Sequence, residues 1–237
     1  MICEVDKMSI TEIKKFLTEN SEEKYRDFSF GLIKKSDYPL IGVRLPTLKR
    51  LANEICRDGC GESFLNECDF SSMEMLFLYS YVLGKTKTDI EVLWRYFCKA
   101  AEHTDNWSTC DILCQSFKQC EKNKDFVLEK LIDFFESGKT YYMRIAVVML
   151  MTYYLTDEYI DTVLRFADKY KNDGYYYKMG VAWLTATALA KQTEKTLVFM
   201  ETCTLDDFTY NKAIQKAVES RRITDELKGK LKKMKRK

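Results

Sequence analysis

Proline and glycine are scarce in this chain, with two prolines and nine glycines in 237 residues. So few breakers, and no stretch of strict apolar and polar alternation, predict an all-helical protein. No Pro-, Gly- or Ser-rich linker divides the sequence, so a single domain over residues 1–237 is expected. Histidine is scarcer still. His103 is the only one, which argues against Ser-His-Asp and Cys-His mechanisms, since both need an oriented imidazole. Cys56 and Cys60, like Cys110 and Cys114, have an i, i+4 spacing that could hold a metal, but no CxxC pair and no further histidine accompany them. No metal site is expected. The nine cysteines are odd in number and scattered, the pattern of reduced thiols that pack as small hydrophobes, so no disulfides are expected.

Long apolar runs are also missing. The uncharged stretches Ile145 to Thr156 and Met179 to Ala190 are shorter than the ~20 residues that cross a bilayer, and read as core helices. Met1-Ile2-Cys3-Glu4-Val5-Asp6-Lys7 is polar and mixed in charge, unlike a secretion signal, which predicts a cytoplasmic protein. The formal net charge is only +2. Any site for a polyanion must then be a local patch.

What is present is a large apolar complement, 46% of the residues, sufficient for a core without covalent staples. Apolar residues at helical spacing predict two helices within Ser9 to Lys35, a stop at Ser36-Asp37-Tyr38-Pro39, and a basic turn Gly42-Val43-Arg44-Leu45-Pro46-Thr47 that opens a helix. Helices are further expected over Ser71–Leu83, Asp89–Ala101, Asp105–Gln119, Lys124–Glu136, Thr140–Leu155, Glu158–Tyr170, Tyr175–Lys191, Glu194–Thr202, Asp207–Ser220 and Thr224–Lys235. Short polar links join them into antiparallel pairs. A repeat runs through the second half: Tyr142-Met143-Arg144, Tyr176-Tyr177-Lys178 and Tyr210-Asn211-Lys212 share a Tyr-x-basic pattern, the tyrosines 34 residues apart. That period predicts an α-solenoid of helix pairs, in which equivalent positions line up in space. Arg144, Lys178 and Lys212 would then form a row of cations suited to a phosphate backbone, on a surface expected to be concave. Alternatively, each caps a carbonyl or lies over its neighbouring tyrosine.

Three positions carry chemistry. Thr104 and Asp105 are good helix caps, and the apolar stripe behind them includes Trp107, Cys110, Cys114 and Phe117. Asp111 follows Trp107 by four residues, so it projects from nearly the same face, beside the apolar stripe. It is either an acid solvated in the early turns of a helix or a functional carboxylate. Arg144 is the only charge between Tyr141 and Thr156. Buried in an apolar helix, it needs a partner, and Asp111 or a bound phosphate would serve. Trp183 lies in a helix with no charge between Lys178 and Lys191, and plain core is the usual reading of a lone tryptophan. The tail over 227–237, rich in Lys and Arg, reads as a solvated helix end that could lend non-specific DNA affinity.

Taken together, Trp107-x-x-x-Asp111, Arg144 within Tyr141-Tyr142-Met143-Arg144-Ile145-Ala146, and Trp183 within Val181-Ala182-Trp183 resemble the AlkD-like DNA alkylation repair glycosylases. Gly42-Val43-Arg44-Leu45-Pro46 and Asp206-Asp207-Phe208-Thr209-Tyr210-Asn211-Lys212-Ala213-Ile214 are similar to that family as well, so the likeness spans most of the chain. The resemblance implies a HEAT-like repeat fold whose concave basic groove cradles duplex DNA containing N3- or N7-alkylated purines. It implies hydrolysis of the N-glycosidic bond by a monofunctional, monomeric enzyme without a cofactor. Asp111 would carry the chemistry, Trp107 and Trp183 would frame the damaged nucleotide, and Arg144 would hold a phosphate, with Lys178 and Lys212 lining an open groove. The alternatives are a non-catalytic helical-repeat module that binds DNA or a protein, and a peptide-binding solenoid.

Overall fold

A computed structural model describes residues 8–236. Met1–Lys7, read above for the lack of a secretion signal, and Lys237 of the basic tail lie outside the described residues. All regular structure among the described residues is helical. The helices are α1 (Ile10–Glu19), α2 (Glu23–Ile33), α3 (Leu45–Arg57), α4 (Gly61–Glu67), α5 (Met73–Leu83), α6 (Ile90–Glu102), α7 (Trp107–Ser116), α8 (Lys124–Glu136), α9 (Thr140–Tyr153), α10 (Ile160–Lys169), α11 (Tyr175–Lys191), α12 (Thr193–Thr202), α13 (Asp207–Glu219) and α14 (Asp225–Lys233). Two elements were not expected: the short α4, and a 3-10 turn over Lys118–Lys122. The residues of both alternate too briefly between apolar and polar to show a helical period.

The chain divides into two compact units at Gln119/Cys120. In the first, α3, α5 and α7 pack side by side as a row, with α4 and α6 against its back. The central member α5 is apolar on every side, as a helix surrounded by others must be, and all but one of its residues are buried. In the second unit α9, α11 and α13 form the same kind of row, flanked by α8, α10, α12 and α14. Here α9 is the apolar element, buried from Met143 through Met151. Each unit is thus a short stack of helix pairs, the repeat architecture expected from the tyrosine pattern.

The repeat is visible in the hydrogen bonds. Asn172 Nδ2 donates to the Gly138 carbonyl at 2.7 Å, Tyr159 Oη to Asp125 at 2.7 Å, Lys195 Nζ to Asp161 at 2.6 Å and Lys99 Nζ to the Leu65 carbonyl at 3.0 Å. Each pair is 34 residues apart. Equivalent positions in successive repeats therefore touch. From α5 onward the row helices begin at Met73, Trp107, Thr140, Tyr175 and Asp207, successively 34, 33, 35 and 32 residues apart, so the repeat reaches into the first unit as far as α5, where no Tyr-x-basic pattern marks it.

Close packing within the first row depends on Gly84, which ends α5. A Cβ there would lie 2.2 Å from the Ser116 carbonyl oxygen at the end of α7, a backbone atom that cannot rotate away. The backbone of Gly84 is ordinary helix (φ −63°), so the glycine serves space and not conformation. Gly84→Ala is expected to destabilise the protein by about 2 kcal/mol through forced separation of α5 and α7, read by denaturant unfolding.

Candidate functional site

The start of α7 is capped by Asn106, one residue beyond the two caps read from sequence. Its Oδ1 accepts from the Ser108 and Thr109 amides at 2.9 and 3.1 Å, and the residue is 1% exposed. That fixes Trp107 as the first helical residue and puts Asp111 one turn behind it on the same face. Both are partly exposed, while Cys110, Leu113 and Cys114 turn into the core. The intervening residues are structural: the Thr109 hydroxyl donates back to the Asn106 carbonyl at 3.1 Å, and Cys110 is fully buried.

Asp105 does not cap the helix. It accepts from the Ser36 hydroxyl at 3.0 Å and from the Asp37 amide, binding the loop over 34–44 to the start of α7. Tyr38 reinforces this link, its hydroxyl 2.7 Å from His103 Nδ1, and Phe70 stacks on the imidazole at 4.1 Å between centroids. The other end of the loop is held by Glu74 of α5. Completely buried, its carboxylate accepts from the amides of Ile41, Gly42 and Val43 at 2.9, 2.7 and 3.2 Å. Gly42 is required there: its φ is +106°, and a Cβ would sit 2.7 Å from the Glu22 carbonyl. Reading the sequence missed this loop clamp. The available signal was Glu74 itself, the only charge from Ser71 to Leu83. Arg44, counted above towards a basic region, is committed to Glu22 through two hydrogen bonds of 2.7 Å each.

In the second unit the three cations spaced by 34 residues differ. Arg144 is 4% exposed, and its Nη1 donates to the Tyr176 carbonyl at 2.8 Å, in the space left open by Gly180. The carbonyl contact is the alternative weighed above for the Tyr-x-basic pattern. Lys178 pairs with Asp173 at 3.1 Å and Asp206 at 3.8 Å, and the bond to Asp173 raises its pKa above the ordinary lysine value. Lys212 is partly exposed and donates to Gln215 Oε1 at 2.9 Å. The row of like cations is therefore graded, from a buried guanidinium to a surface amine. Trp183 is partly exposed and lines a hollow of about 530 Å³ together with Met151, Thr187, Lys216 and Arg222. It is not a core residue. Within the basic tail, Arg236 exchanges two 2.9 Å hydrogen bonds with Asn211 and lays its guanidinium 3.9 Å from the Tyr210 ring centre.

Among the described residues, no group of three or more His, Cys, Asp and Glu side chains is placed to hold a metal ion. The eight cysteines there form no disulfide with one another, and no helix among the described residues is long and apolar enough to cross a membrane.

The structure thus holds a carboxylate and an indole on one turn at a capped helix start in the first unit, and a second partly exposed indole in a hollow of the second unit. The family comparison is specific: the DNA alkylation repair enzyme model matches residues 13–217. The chain belongs to the DNA alkylation repair enzyme family. No curated protein and no solved structure matches it.

Two predictions concern the loop clamp. Glu74→Gln keeps the shape but removes the charge and one acceptor from three buried amides, and is expected to cost about 3 kcal/mol in denaturant unfolding. Burial lowers the His103 pKa below its ordinary 6.5. Neutral imidazole is thus favoured in the folded state, and the associated stability is present above pH 6.5 and lost as pH falls through the folded value. Because the chain has a single histidine, its imidazole resonance can be followed by NMR, and its titration is expected below the ordinary 6.5.

Proposed function

We propose that the protein is a monofunctional DNA glycosylase that hydrolyses the N-glycosidic bond of cationic N3- or N7-alkylated purines in duplex DNA. The observation that carries this reading is Asp111 one helical turn behind Trp107, at a capped and loop-clamped helix start, in a chain of the DNA alkylation repair family. An alkylated purine already bears a positive charge and departs as a neutral base, so no strong general acid is needed. The barrier lies in the sugar, which becomes oxocarbenium-like as the bond breaks. A fixed carboxylate stabilises that charge and can orient the attacking water, as the second carboxylate does in sugar hydrolysis.

In this reading Asp111 is the catalytic group, Trp107 on the same turn gives the cationic nucleotide aromatic contact worth about 0.5–2 kcal/mol, and Trp183 offers the DNA a further aromatic face. Lys178 and Lys212 attract the phosphate backbone. Arg144, bound to the Tyr176 carbonyl, serves the DNA by holding α9 against α11 and by the positive charge it places there. Reading a lesion by its charge does not require a deep base-binding pocket, in contrast to enzymes that extrude the base. No nucleophilic lysine takes part, so the abasic product is left uncut.

Asp111→Asn is expected to lower release of 7-methylguanine from methylated duplex DNA by at least about 100-fold while DNA affinity stays within about twofold. Freed base is measured by chromatography and binding by fluorescence anisotropy. Unmutated protein that binds methylated DNA but frees no base would instead favour a non-catalytic binding module.

A further inference from the structure

A second hollow, of about 410 Å³, opens on the row of the first unit. Its lining includes Lys49 of α3, Tyr81 of α5, Lys85 just beyond α5, Gln115 and Ser116 at the end of α7, and Lys118 at the start of the 3-10 turn, and it includes no carboxylate. Some other surface lysines meet acids: Lys14 pairs with Asp69, Lys171 with Asp168 and Lys195 with Asp161. Here three exposed lysines share one site with polar donors and no counter-charge. Lys49 Nζ lies 5.4 Å from the Tyr81 ring centre, so the aromatic face holds one cation over the hollow. The close approach at Gly84 forms part of the lining and fixes the end of α5 against α7.

The repeat gives an independent reason to regard this hollow as a binding site. Tyr81 is the ninth residue of α5, and Trp183 is the ninth residue of α11. They are 102 residues apart, three periods of 34. Each stands on the middle helix of its unit's row and lines a hollow with three basic side chains, joined at Trp183 by the carboxylate of Glu219.

We propose that Lys49, Lys85 and Lys118, arranged around the Tyr81 ring, form a binding site for the phosphodiester backbone of DNA in the first unit. This rests on the glycosylase reading for the identity of its ligand. Lysine binds phosphate as a point charge with three donors, and Asn53, Gln115 and Ser116 supply further hydrogen bonds to non-bridging oxygens. The contacts are to backbone, so the site contributes affinity and registration without base preference.

The test compares the full chain with the variant Lys49→Ala/Lys85→Ala/Lys118→Ala, using unmodified duplex DNA and anisotropy over a range of salt concentrations. A control removes the same charge at exposed Lys15, Lys122 and Lys195. The site predicts that the triple variant binds at least tenfold more weakly at low salt, and that its log K against log salt slope is shallower by about 2 to 3, at roughly 0.9 per phosphate contact. An unaltered slope, or an equal loss in the control, overturns the proposal while leaving the glycosylase reading intact. Binding lost as expected from a protein that releases no base supports the site and overturns the glycosylase reading. A chain that binds no DNA, or that binds polyglutamate in preference to it, overturns both.

Discussion

The structure depends on the fact that no helix pair of this chain can bury its apolar face alone. A pair of two short helices leaves a full side of Leu, Met, Phe and Tyr uncovered, and only the next pair can cover it. The consequence is the register seen in hydrogen bonds between residues 34 apart, such as Asn172 with Gly138 and Tyr159 with Asp125. Once register is fixed, equivalent positions recur along the row helices at a spacing of about 34 residues, although the neighbours that each one meets differ. Specialisation then proceeds by substitution at those positions: the fifth residue is Asp111 in α7 and Arg144 in α9, and the ninth is Tyr81 in α5 and Trp183 in α11.

The charges buried by this arrangement are few, and each is handled. Glu74 is surrounded by three amides of a loop that, without it, would leave those donors unsatisfied in the core. Arg144 reaches a carbonyl on the adjoining row helix. In both cases an expensive buried charge is set where it joins two separate segments, so the same residue that burdens stability specifies geometry. The loop held by Glu74 is in turn tied by Asp105 and Tyr38 to the residues just before Trp107. The carboxylate that carries the proposed chemistry is therefore positioned by contacts well away from itself.

Much of this was legible in the sequence because helical period and repeat period are both written in apolar residues. The long helices from α5 onward, the 34-residue repeat, and the singular character of Arg144 all follow from counting. What was not legible depends on contacts between distant residues. Nothing local marks Asn106 rather than Thr104 or Asp105 as the cap. The choice follows from Asp105 being drawn to Ser36, 69 residues away. Trp183 could not be told from a core tryptophan, since exposure of a ring is set by the helices beside it. The row of three cations was inferred from equal spacing, yet equal spacing gives equal position and not equal environment. The ends of α11 and α13 bring acids to Lys178, and Gly180 makes room for Arg144.

The central claim is that the protein breaks the glycosidic bond of purines made cationic by alkylation. The most direct measurement incubates the unmutated chain with duplex DNA methylated at purine nitrogens and identifies both the freed base and the state of the strand. The account predicts free 3-methyladenine or 7-methylguanine, matched one for one by intact strands carrying abasic sites. Methylated DNA recovered with every glycosidic bond intact, or strands cut at the lesion by the protein itself, would contradict it.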